Sequence, residues 1–320
     1  MKAVVYRENG GPEVLSYEDV SDPQPAAGEI LVKVESISVE GGDPLRRRRV
    51  PPKPNPRIEG YAASGEVIAL GQGVTSFQVG DRVTTWAERG SHAELRTARA
   101  EHCWLLPKGL EMSAAAVALV GLGTAGAALF EIAQLKRGQS VLISGAAGGV
   151  GVGAIQLAHK AGAQVLGTGS NPASLEELRR YGLDEPLVVD REPFAQRVKD
   201  LTGGRGVDVF LDTVGGSALQ SGLDSLVEGG RAVMVGAIST LKGTISPFSL
   251  LVQSQSLFGC MLPFLMPRPS VRAMIDDILQ RLAGGDLTAV IDREYRLSEA
   301  QAAHTRAEER GRIGRVVMIP

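Results

Sequence analysis

The chain is poor in cysteine, in aromatic residues and in net charge. Two cysteines, Cys103 and Cys260, among 320 residues are too few for a disulfide framework or a four-cysteine zinc ribbon. A formal net charge of −2 gives no field that would recruit nucleic acid or an acidic membrane. Aromatic residues make up only 4% of the chain, whereas 40 residues are glycine. We therefore expect free, buried cysteines, an α/β protein with many turns, and no nucleic-acid partner.

Neither a secretion signal nor a membrane span is predicted. The first residues, Met1–Tyr6, have the pattern of a β-strand rather than that of a signal peptide. The stretch from Met112 to Phe130 carries no charge and is about long enough to cross a bilayer, but it is rich in Ala and Gly. We interpret it as two buried helical pieces broken at Gly121–Thr124. The expected location is the cytoplasm, without a membrane partner.

The predicted elements divide the chain into a β-rich part and an alternating part. Up to about residue 110, short apolar strands are separated by Gly, Pro and Asp turns, which is typical of an all-β module. From about residue 120, six strands alternate with helical stretches. That alternation predicts an α/β fold with a doubly wound parallel sheet. The six strands are expected at 141–144, 164–168, 187–189, 207–212, 231–236 and 256–261.

The segment from Ser140 to Gly151 joins an apolar strand to a glycine turn and an amphipathic helix. Its spacing, Ala146-x-Gly148-x-x-Gly151, is the dinucleotide-binding fingerprint with Ala in the first position. Gly148 would let the backbone approach a diphosphate, and Gly151 would let the helix pack closely on the strand. The unpaired amides and positive dipole end of a helix N-terminus favour such an anion. The residues expected to hold the diphosphate are Ala147, Gly148, Gly149 and Val150.

The second strand of this α/β part lacks the carboxylate that selects NAD. An acidic residue about 20 positions after the glycines usually accepts the ribose 2′-OH of NAD, but here the strand ends Gly169-Ser170-Asn171. A carboxylate here would repel a 2′-phosphate, and none is present. Ser170, Asn171 and Arg179 could bind that phosphate, so NADPH is favoured over NADH. A second interpretation makes Ser170 or Asn171 the cap of a helix that begins at Pro172. The two roles are compatible.

Several segments spread along essentially the whole chain fit one family pattern. They are Met1–Val5, Gly10–Leu15, Gly28–Val34, Val79–Val83, Lys136–Ile143, Ala146–Gly151, Leu201–Asp208 and Gly314–Val317. In this order they resemble the zinc-independent quinone oxidoreductases, the zeta-crystallin-like branch of the medium-chain dehydrogenase/reductase superfamily. The resemblance implies a GroES-like, β-rich catalytic domain over residues 1–120 and 268–320 and a Rossmann domain over residues 121–267. It further implies NADPH and a homodimer formed through the Rossmann sheets.

The same resemblance indicates that zinc ligands are missing. Zinc-containing members of the superfamily have a Cys and a Gly-His-Glu turn, which correspond here to Glu40 and to Gly60-Tyr61-Ala62. A Glu and a Tyr without His or Cys make a poor zinc site, because zinc prefers tetrahedral sulfur and nitrogen ligands. We therefore expect no zinc and no zinc-alkoxide chemistry.

The chain also departs from the quinone oxidoreductases themselves. They usually have Asn at the position of Glu40, Lys at that of Ser174 and often Tyr at that of Val189. The last two positions lie near the 2′-phosphate in the family, so their loss gives more weight to Ser170, Asn171 and Arg179.

Two residues are the catalytic candidates. Hydride addition to an enone or quinone builds negative charge on the carbonyl oxygen, which needs a hydrogen-bond or proton donor. The Tyr61 phenol could supply it, or it could pack as a wall with its hydroxyl in water. Glu40 could orient the substrate or relay a proton, or it could hold its local turn. Asp43 and His92 are interpreted as structural.

Further cofactor contacts are expected from family alignment and from strand ends. Thr124 aligns with a threonine near the nicotinamide, although it could instead be a helix cap. Phe258 and Gly259 also align near the nicotinamide, although Phe258 could pack in the core. Ligands bind at the carboxyl ends of parallel strands, which adds Val214, Ala237 and Ile238.

Three functions follow from these features. The first is NADPH-dependent reduction of a quinone or an α,β-unsaturated carbonyl compound, as the resemblance implies. The second is an enoyl-thioester reductase of a polyketide or fatty-acid pathway, in which Arg46–Arg49 would meet a phosphate. That arginine run is otherwise expected to be a solvated loop. The third is a nucleotide-binding protein without redox turnover.

Overall fold

A computed structural model describes residues 1–189, 193–236 and 245–320. The chain divides into two compact units. The first comprises Met1–Val120, Met266–Glu309 and Gly314–Pro320, and the second comprises Gly121–Leu265 and Arg310–Ile313.

The first unit is β-rich. Its strands are β1 (Lys2–Tyr6), β2 (Ser16–Asp19), β3 (Glu29–Val39), β4 (Arg57–Ile58), β5 (Ala62–Leu70), β6 (Arg82–Trp86), β7 (Leu95–Arg99), β8 (Cys103–Leu105), β15 (Ile291–Arg296) and β16 (Arg315–Ile319). Its helices are α1 (Gly42–Arg49), α9 (Pro269–Ala283) and α10 (Ala300–Glu308). A seven-stranded sheet has the order β15-β16-β3-β5-β6-β8, with β7 also paired to β3, and a three-stranded sheet has the order β2-β1-β4. This is the GroES-like part of the expected fold.

Both ends of the chain build the core of this unit. Strand β3 alternates in its middle part, where Val32 and Val34 are buried whereas Lys33 and Glu35 are exposed. Strand β16 pairs antiparallel with β3. Helix α10 places Ala300, Ala303 and His304 on one buried face, as the spacing of an amphipathic helix requires. The first unit therefore depends on residues separated by more than 200 positions in the sequence.

The second unit contains the doubly wound sheet. Its strands are β9 (Ser140–Ile143), β10 (Gln164–Gly169), β11 (Glu185–Val188), β12 (Val207–Asp212), β13 (Leu226–Met234) and β14 (Ser256–Gly259). Its helices are α3 (Gly149–Lys160), α4 (Pro172–Glu177), α5 (Ala195–Leu201), α6 (Ser217–Asp224), α7 (Pro247–Val252) and α8 (Leu262–Leu265). All neighbouring strands are parallel, in the order β11-β10-β9-β12-β13-β14. The predicted fold is thus confirmed, and the strand order reverses between β9 and β12, where such sheets bind ligands.

Helix α2 (Met112–Gly126) runs through the glycines that were expected to break it. It continues as a π-helical segment, Ala127–Ile132, so the predicted break at Gly121–Thr124 is wrong. A Cβ at Gly121 would lie 3.2 Å from the carbonyl oxygen of Gly149, and one at Gly153 would lie 3.3 Å from Leu122 Cα. The glycines therefore allow helices α2 and α3 to pack closely. The stretch Met112–Ile132 is apolar and long enough to span a bilayer, but 78% of its most apolar window is buried inside the protein.

The arginine run is helical, so the expectation of a solvated loop is wrong. Arg46–Arg49 form the last turn of α1, where positive charge is favourable beside the helix C-terminus. Arg47 is fully buried and binds Glu308 and the Nδ1 atom of His304, and Arg48 also pairs with Glu308. Arg47 and Arg48 therefore already have partners, whereas Arg49 is exposed and its side chain makes no ion pair or hydrogen bond with the described residues.

Two histidines are completely buried in the first unit. The rings of His92 and His304 are 5.1 Å apart, and His304 Nδ1 lies 2.6 Å from a guanidinium nitrogen of Arg47. Burial lowers the pKa of His92 to about 3. Burial, His92 and Arg47 together lower the pKa of His304 well below its ordinary value. Both rings are therefore neutral in the folded protein at neutral pH.

This burial predicts a loss of stability in acid. An unfolded histidine binds a proton below pH about 6.5, whereas the folded ones resist it, so each should lower the free energy of unfolding by up to about 1.4 kcal/mol per pH unit below that value. Urea unfolding can be followed by tryptophan fluorescence, because both tryptophans, Trp86 and Trp104, belong to this unit. We expect His304→Gln to flatten the pH dependence of the unfolding free energy more than His159→Gln, a variant at an exposed position, does. Equal slopes for His304→Gln and the parent would contradict the assignment.

Candidate functional site

The glycine turn after β9 presents unpaired amides. Gly148 caps α3 and donates its own N–H to the carbonyl of Gly145 at 2.9 Å. Among the described residues, the amides of Gly149, Val150 and Gly151 have no backbone acceptor, because they belong to the first turn of the helix. No acidic residue lies in that turn. These amides fit an anion such as the diphosphate of a dinucleotide.

Gly151 brings the helix onto the turn, as its position in the fingerprint predicts. A Cβ at this position would lie 2.5 Å from the carbonyl oxygen of Gly145 and 2.6 Å from that of Ala146. No side chain fits into so short a distance. Backbone packing therefore holds the turn that carries the residues expected to bind the diphosphate. Of these residues, Ala147, Gly148 and Val150 are partly exposed, and Gly149 is buried.

Thr124 lies inside α2 and is 7% exposed. It is not a helix cap, because the helix continues through it. Gly121, one turn earlier, lies against Gly149. The structure thus brings the part of α2 that carries Thr124 close to the beginning of α3.

The end of β10 has both features that its sequence predicted. Asn171 caps α4 by accepting the N–H of Ser174 at 2.9 Å, and Ser170 is exposed. Arg179 is exposed, but it binds Glu176 and donates to the carbonyl of Asp184. Its charge is therefore partly neutralised, which weakens the case for it as a phosphate ligand.

A residue that the sequence analysis missed lies beside this strand end. The Ser174 hydroxyl donates to the carbonyl of Gly311 at 2.8 Å. A Cβ at Gly311 would lie 3.0 Å from the side-chain nitrogen Nδ2 of Asn171. Arg310, the preceding residue, is exposed and makes no ion pair or hydrogen bond with the part of the chain that the structure describes. Sequence reasoning could not find it, because about 140 residues separate it from Asn171 and only the fold brings them together.

The remaining cofactor candidates lie along the sheet. Val214 follows β12, and its amide donates to Asp212 at 3.0 Å. Gly259 ends β14 with open space where a Cβ would stand. Phe258 is 40% exposed on the same strand, so the alternative that it packs in the core is wrong, because β14 is the last strand of its sheet. Ala237 and Ile238 lie outside the described residues.

Tyr61 lies in the first unit among buried acids and one arginine. Its hydroxyl lies over Gly42, where a Cβ would collide with it, and the Arg46 guanidinium is 5.0 Å from the ring centroid. The hydroxyl makes no hydrogen bond to the described residues. Burial, followed by the negative charge of Asp43, raises the pKa of Tyr61 above its usual value, so the phenol stays protonated.

Glu40 is held in place by two partners. Its carboxylate accepts the Ser38 hydroxyl at 2.7 Å and lies 2.7 Å from a guanidinium nitrogen of Arg315 on β16. Asp43 accepts the Glu40 amide at 2.8 Å, as expected of a structural residue in its own turn. Within the described ranges, no group of three or more His, Cys, Asp and Glu side chains could hold a metal ion.

Comparisons with known proteins agree with this fold. Residues 26–141 match the alcohol dehydrogenase GroES-like domain, and residues 149–280 match a family described as zinc-binding dehydrogenase. The chain is 33% identical to a quinone oxidoreductase of Pseudomonas aeruginosa, covering 100% of this chain and 99% of the relative. It is 32% identical to a 2-haloacrylate reductase of a Burkholderia species, covering 100% and 99%.

A solved structure extends the likeness to three dimensions. The Escherichia coli quinone oxidoreductase complexed with NADPH has a TM-score of 0.94 and 27% identity, with 100% of each chain covered. Sequence and structure are thus similar over the whole length of the chain. The protein belongs to the quinone oxidoreductases of the medium-chain dehydrogenase/reductase superfamily.

Proposed function

We propose that this protein is an NADPH-dependent oxidoreductase that reduces a quinone or an α,β-unsaturated carbonyl compound without zinc. One observation carries the proposal: the first turn of α3 presents unpaired amides, while β10 ends at Gly169 with no carboxylate to repel a 2′-phosphate. NADPH, when bound, supplies the hydride. The relatives named quinone oxidoreductase and 2-haloacrylate reductase support the two classes of acceptor.

Arg310 is the proposed ligand of the 2′-phosphate. Its neighbour Gly311 contacts Asn171 and Ser174 at the end of β10, where the adenosine ribose lies in Rossmann folds. A guanidinium without an ion-pair partner suits a phosphate, which it can bind through two hydrogen bonds. Ser170 and the Asn171 amide group would add neutral donors, with Arg179 contributing less.

Tyr61 is the proposed donor to the carbonyl oxygen of the acceptor. Its hydroxyl has no partner among the described residues and its phenol stays protonated, so it can donate a hydrogen bond as negative charge develops. Glu40 is proposed as a positioning residue, since Ser38 and Arg315 already hold its carboxylate. A zinc-free mechanism is consistent with this donor set, because neither tyrosine nor a paired glutamate is a typical zinc ligand.

The activity predicts oxidation of NADPH that depends on an added acceptor. The purified protein, dialysed against EDTA, should consume NADPH with a simple quinone or a small enone, as followed by the loss of NADPH absorbance. The rate should not rise when zinc is restored. Samples without acceptor or without protein give the background. NADPH binding without turnover on any acceptor would instead favour a nucleotide-binding protein.

Replacing Tyr61 by Phe removes the proposed donor and keeps the ring. We expect kcat to fall by roughly 10²-fold, the lower end of what a positioned proton or hydrogen-bond donor contributes, with the Kd for NADPH unchanged. Tyr17→Phe, at an exposed position on β2, is the matched control and should behave as the parent. An unchanged kcat in Tyr61→Phe would remove Tyr61 from the mechanism.

Replacing Arg310 by Gln tests the choice of cofactor. The Kd for NADPH should rise about tenfold, which corresponds to about 1.4 kcal/mol, whereas the Kd for NADH should stay the same, because only NADPH carries the 2′-phosphate. Arg179→Gln is the comparison variant and should have a smaller effect, since Arg179 already binds Glu176. The assignment fails if Arg310→Gln weakens both cofactors equally or neither.

A further inference from the structure

Two side chains join the carboxyl ends of the central strands β9 and β12. Ser144 follows β9, Asp212 ends β12, and neither is exposed to solvent. The Ser144 hydroxyl donates to Asp212 Oδ1 at 2.6 Å. The strands themselves pair in parallel, with Ile143 opposite Leu211. The hydrogen bond thus extends the pairing beyond the last residue of β9.

Thr213, the residue after Asp212, also binds Ser144. Its amide donates to the Ser144 hydroxyl at 3.0 Å, and its own hydroxyl donates to the Ser144 carbonyl at 2.8 Å. A Cβ at Gly145 would collide with the Thr213 hydroxyl. The first residue of the glycine turn therefore lies directly on Thr213.

Asp212 also holds the loop that follows it. Its carboxylate accepts the amide of Val214 at 3.0 Å and that of Gly215 at 3.1 Å from each oxygen. Gly215 and Gly216 have φ of 72° and 64°, in the left-handed region that glycine adopts without strain. One buried carboxylate therefore binds two residues of this loop, Val214 and Gly215, and Ser144 at the end of β9.

These contacts lie where the order of strands reverses. The two loops that Asp212 and Ser144 join are the glycine turn after β9 and the loop Val214–Gly216 after β12. In doubly wound sheets the ligand occupies the crevice between the loops at this point. The connection is therefore placed to control the backbone that faces a dinucleotide.

Stability alone is a poor explanation for this carboxylate. Asp212 has no ion-pair partner among residues 1–189, 193–236 and 245–320, although removing a carboxylate from water is costly. Its hydrogen bonds to amides and a hydroxyl offset that cost. What they provide in addition is a fixed direction for the Val214 and Gly215 amides.

We propose that Ser144 and Asp212 are a positioning pair that sets the glycine turn and the Val214–Gly216 loop for dinucleotide binding. The proposal rests on the function proposed above, because it concerns the same cofactor site. Neither residue needs to touch the cofactor. Their effect is to hold the backbone of the two loops in one conformation before the dinucleotide arrives, which lowers the entropy cost of binding.

The same two strands carry a matched control at their other ends. Ser140 begins β9, and both its amide and its hydroxyl donate to Asp208 on β12, at 2.8 and 2.9 Å. This second Ser–Asp pair also links the two strands through a serine hydroxyl and a carboxylate, although Asp208 additionally pairs with Arg205 at 2.9 Å. It lies at the amino ends of the strands, away from the glycine turn. It separates the effect of joining the strands from the effect of positioning the loops.

The experiment compares four single variants of the full chain. Ser144→Ala and Asp212→Asn break the proposed pair, and Ser140→Ala and Asp208→Asn break the control pair. The Kd for NADPH is measured by fluorescence of the bound nucleotide, and thermal unfolding is measured alongside. Hydrogen–deuterium exchange of the cofactor-free protein reports on the amides of Val214 and Gly215.

We expect Asp212→Asn to raise the Kd for NADPH about tenfold, which is about 1.4 kcal/mol, and Ser144→Ala to raise it several-fold. Both should speed exchange at the loop after β12. The two variants that break the control pair should lower the unfolding temperature while leaving the Kd for NADPH within twofold of the parent. If Asp212→Asn does not fold, Ser144→Ala carries the test.

Two results overturn the proposal, and they differ from a failure of the function itself. The positioning role fails if the parent binds NADPH and all four variants bind it as tightly as the parent does. It also fails if breaking either pair weakens NADPH binding to the same extent. If the parent binds no NADPH, the proposed function fails and the positioning role fails with it.

Discussion

The contact of α3 with the turn after β9 is the constraint on which the rest of the second unit depends. Because the backbone of Gly151 lies on the carbonyls of Gly145 and Ala146, the helix begins close to the sheet and aims its first amides past the strand end. Two further close contacts surround this one. Helix α2 approaches α3 through Gly121, and Thr213 contacts Gly145 from the side of β12. A side chain at Gly151 would push the helix away from the turn with which it shapes the candidate phosphate site.

The first unit is organised by buried charge rather than by close backbone contact. Arg315 on β16 binds Glu40, and Arg47 on α1 binds His304 and Glu308 on α10. Each of these pairs joins an early part of the chain to a late one. Buried ions are costly unless they are paired, so these contacts favour the arrangement in which both chain ends assemble correctly. Glu59, another buried carboxylate, accepts hydrogen bonds from Tyr6 and Arg57, which join residues within the early part of the chain.

The sequence was sufficient for features that follow from local pattern. The fingerprint around Gly148, the alternation that makes the parallel sheet and the cap at Asn171 each depend on residues close in the chain. The arginine run and Gly121–Thr124 were misjudged, because their conformations depend on distant partners, Glu308 and His304 in one case and Gly149 in the other. Arg310 and the Ser144–Asp212 pair could not be found from spacing at all. Their positions are defined by contacts across about 140 and 68 residues, and no periodicity records them.

The surroundings of Tyr61 restrict the chemistry that it can perform. Burial and the acids around it raise its pKa, so its hydroxyl is a poorer acid than a tyrosine in water. A donor whose pKa lies far above the pH of the solution gives up its proton reluctantly, yet it still donates a hydrogen bond. Arg46, 5.0 Å from the ring centroid, opposes the raised pKa only in part. In the role proposed for it, such a phenol suits stabilisation of the developing negative charge on the acceptor oxygen by a hydrogen bond better than transfer of its own proton.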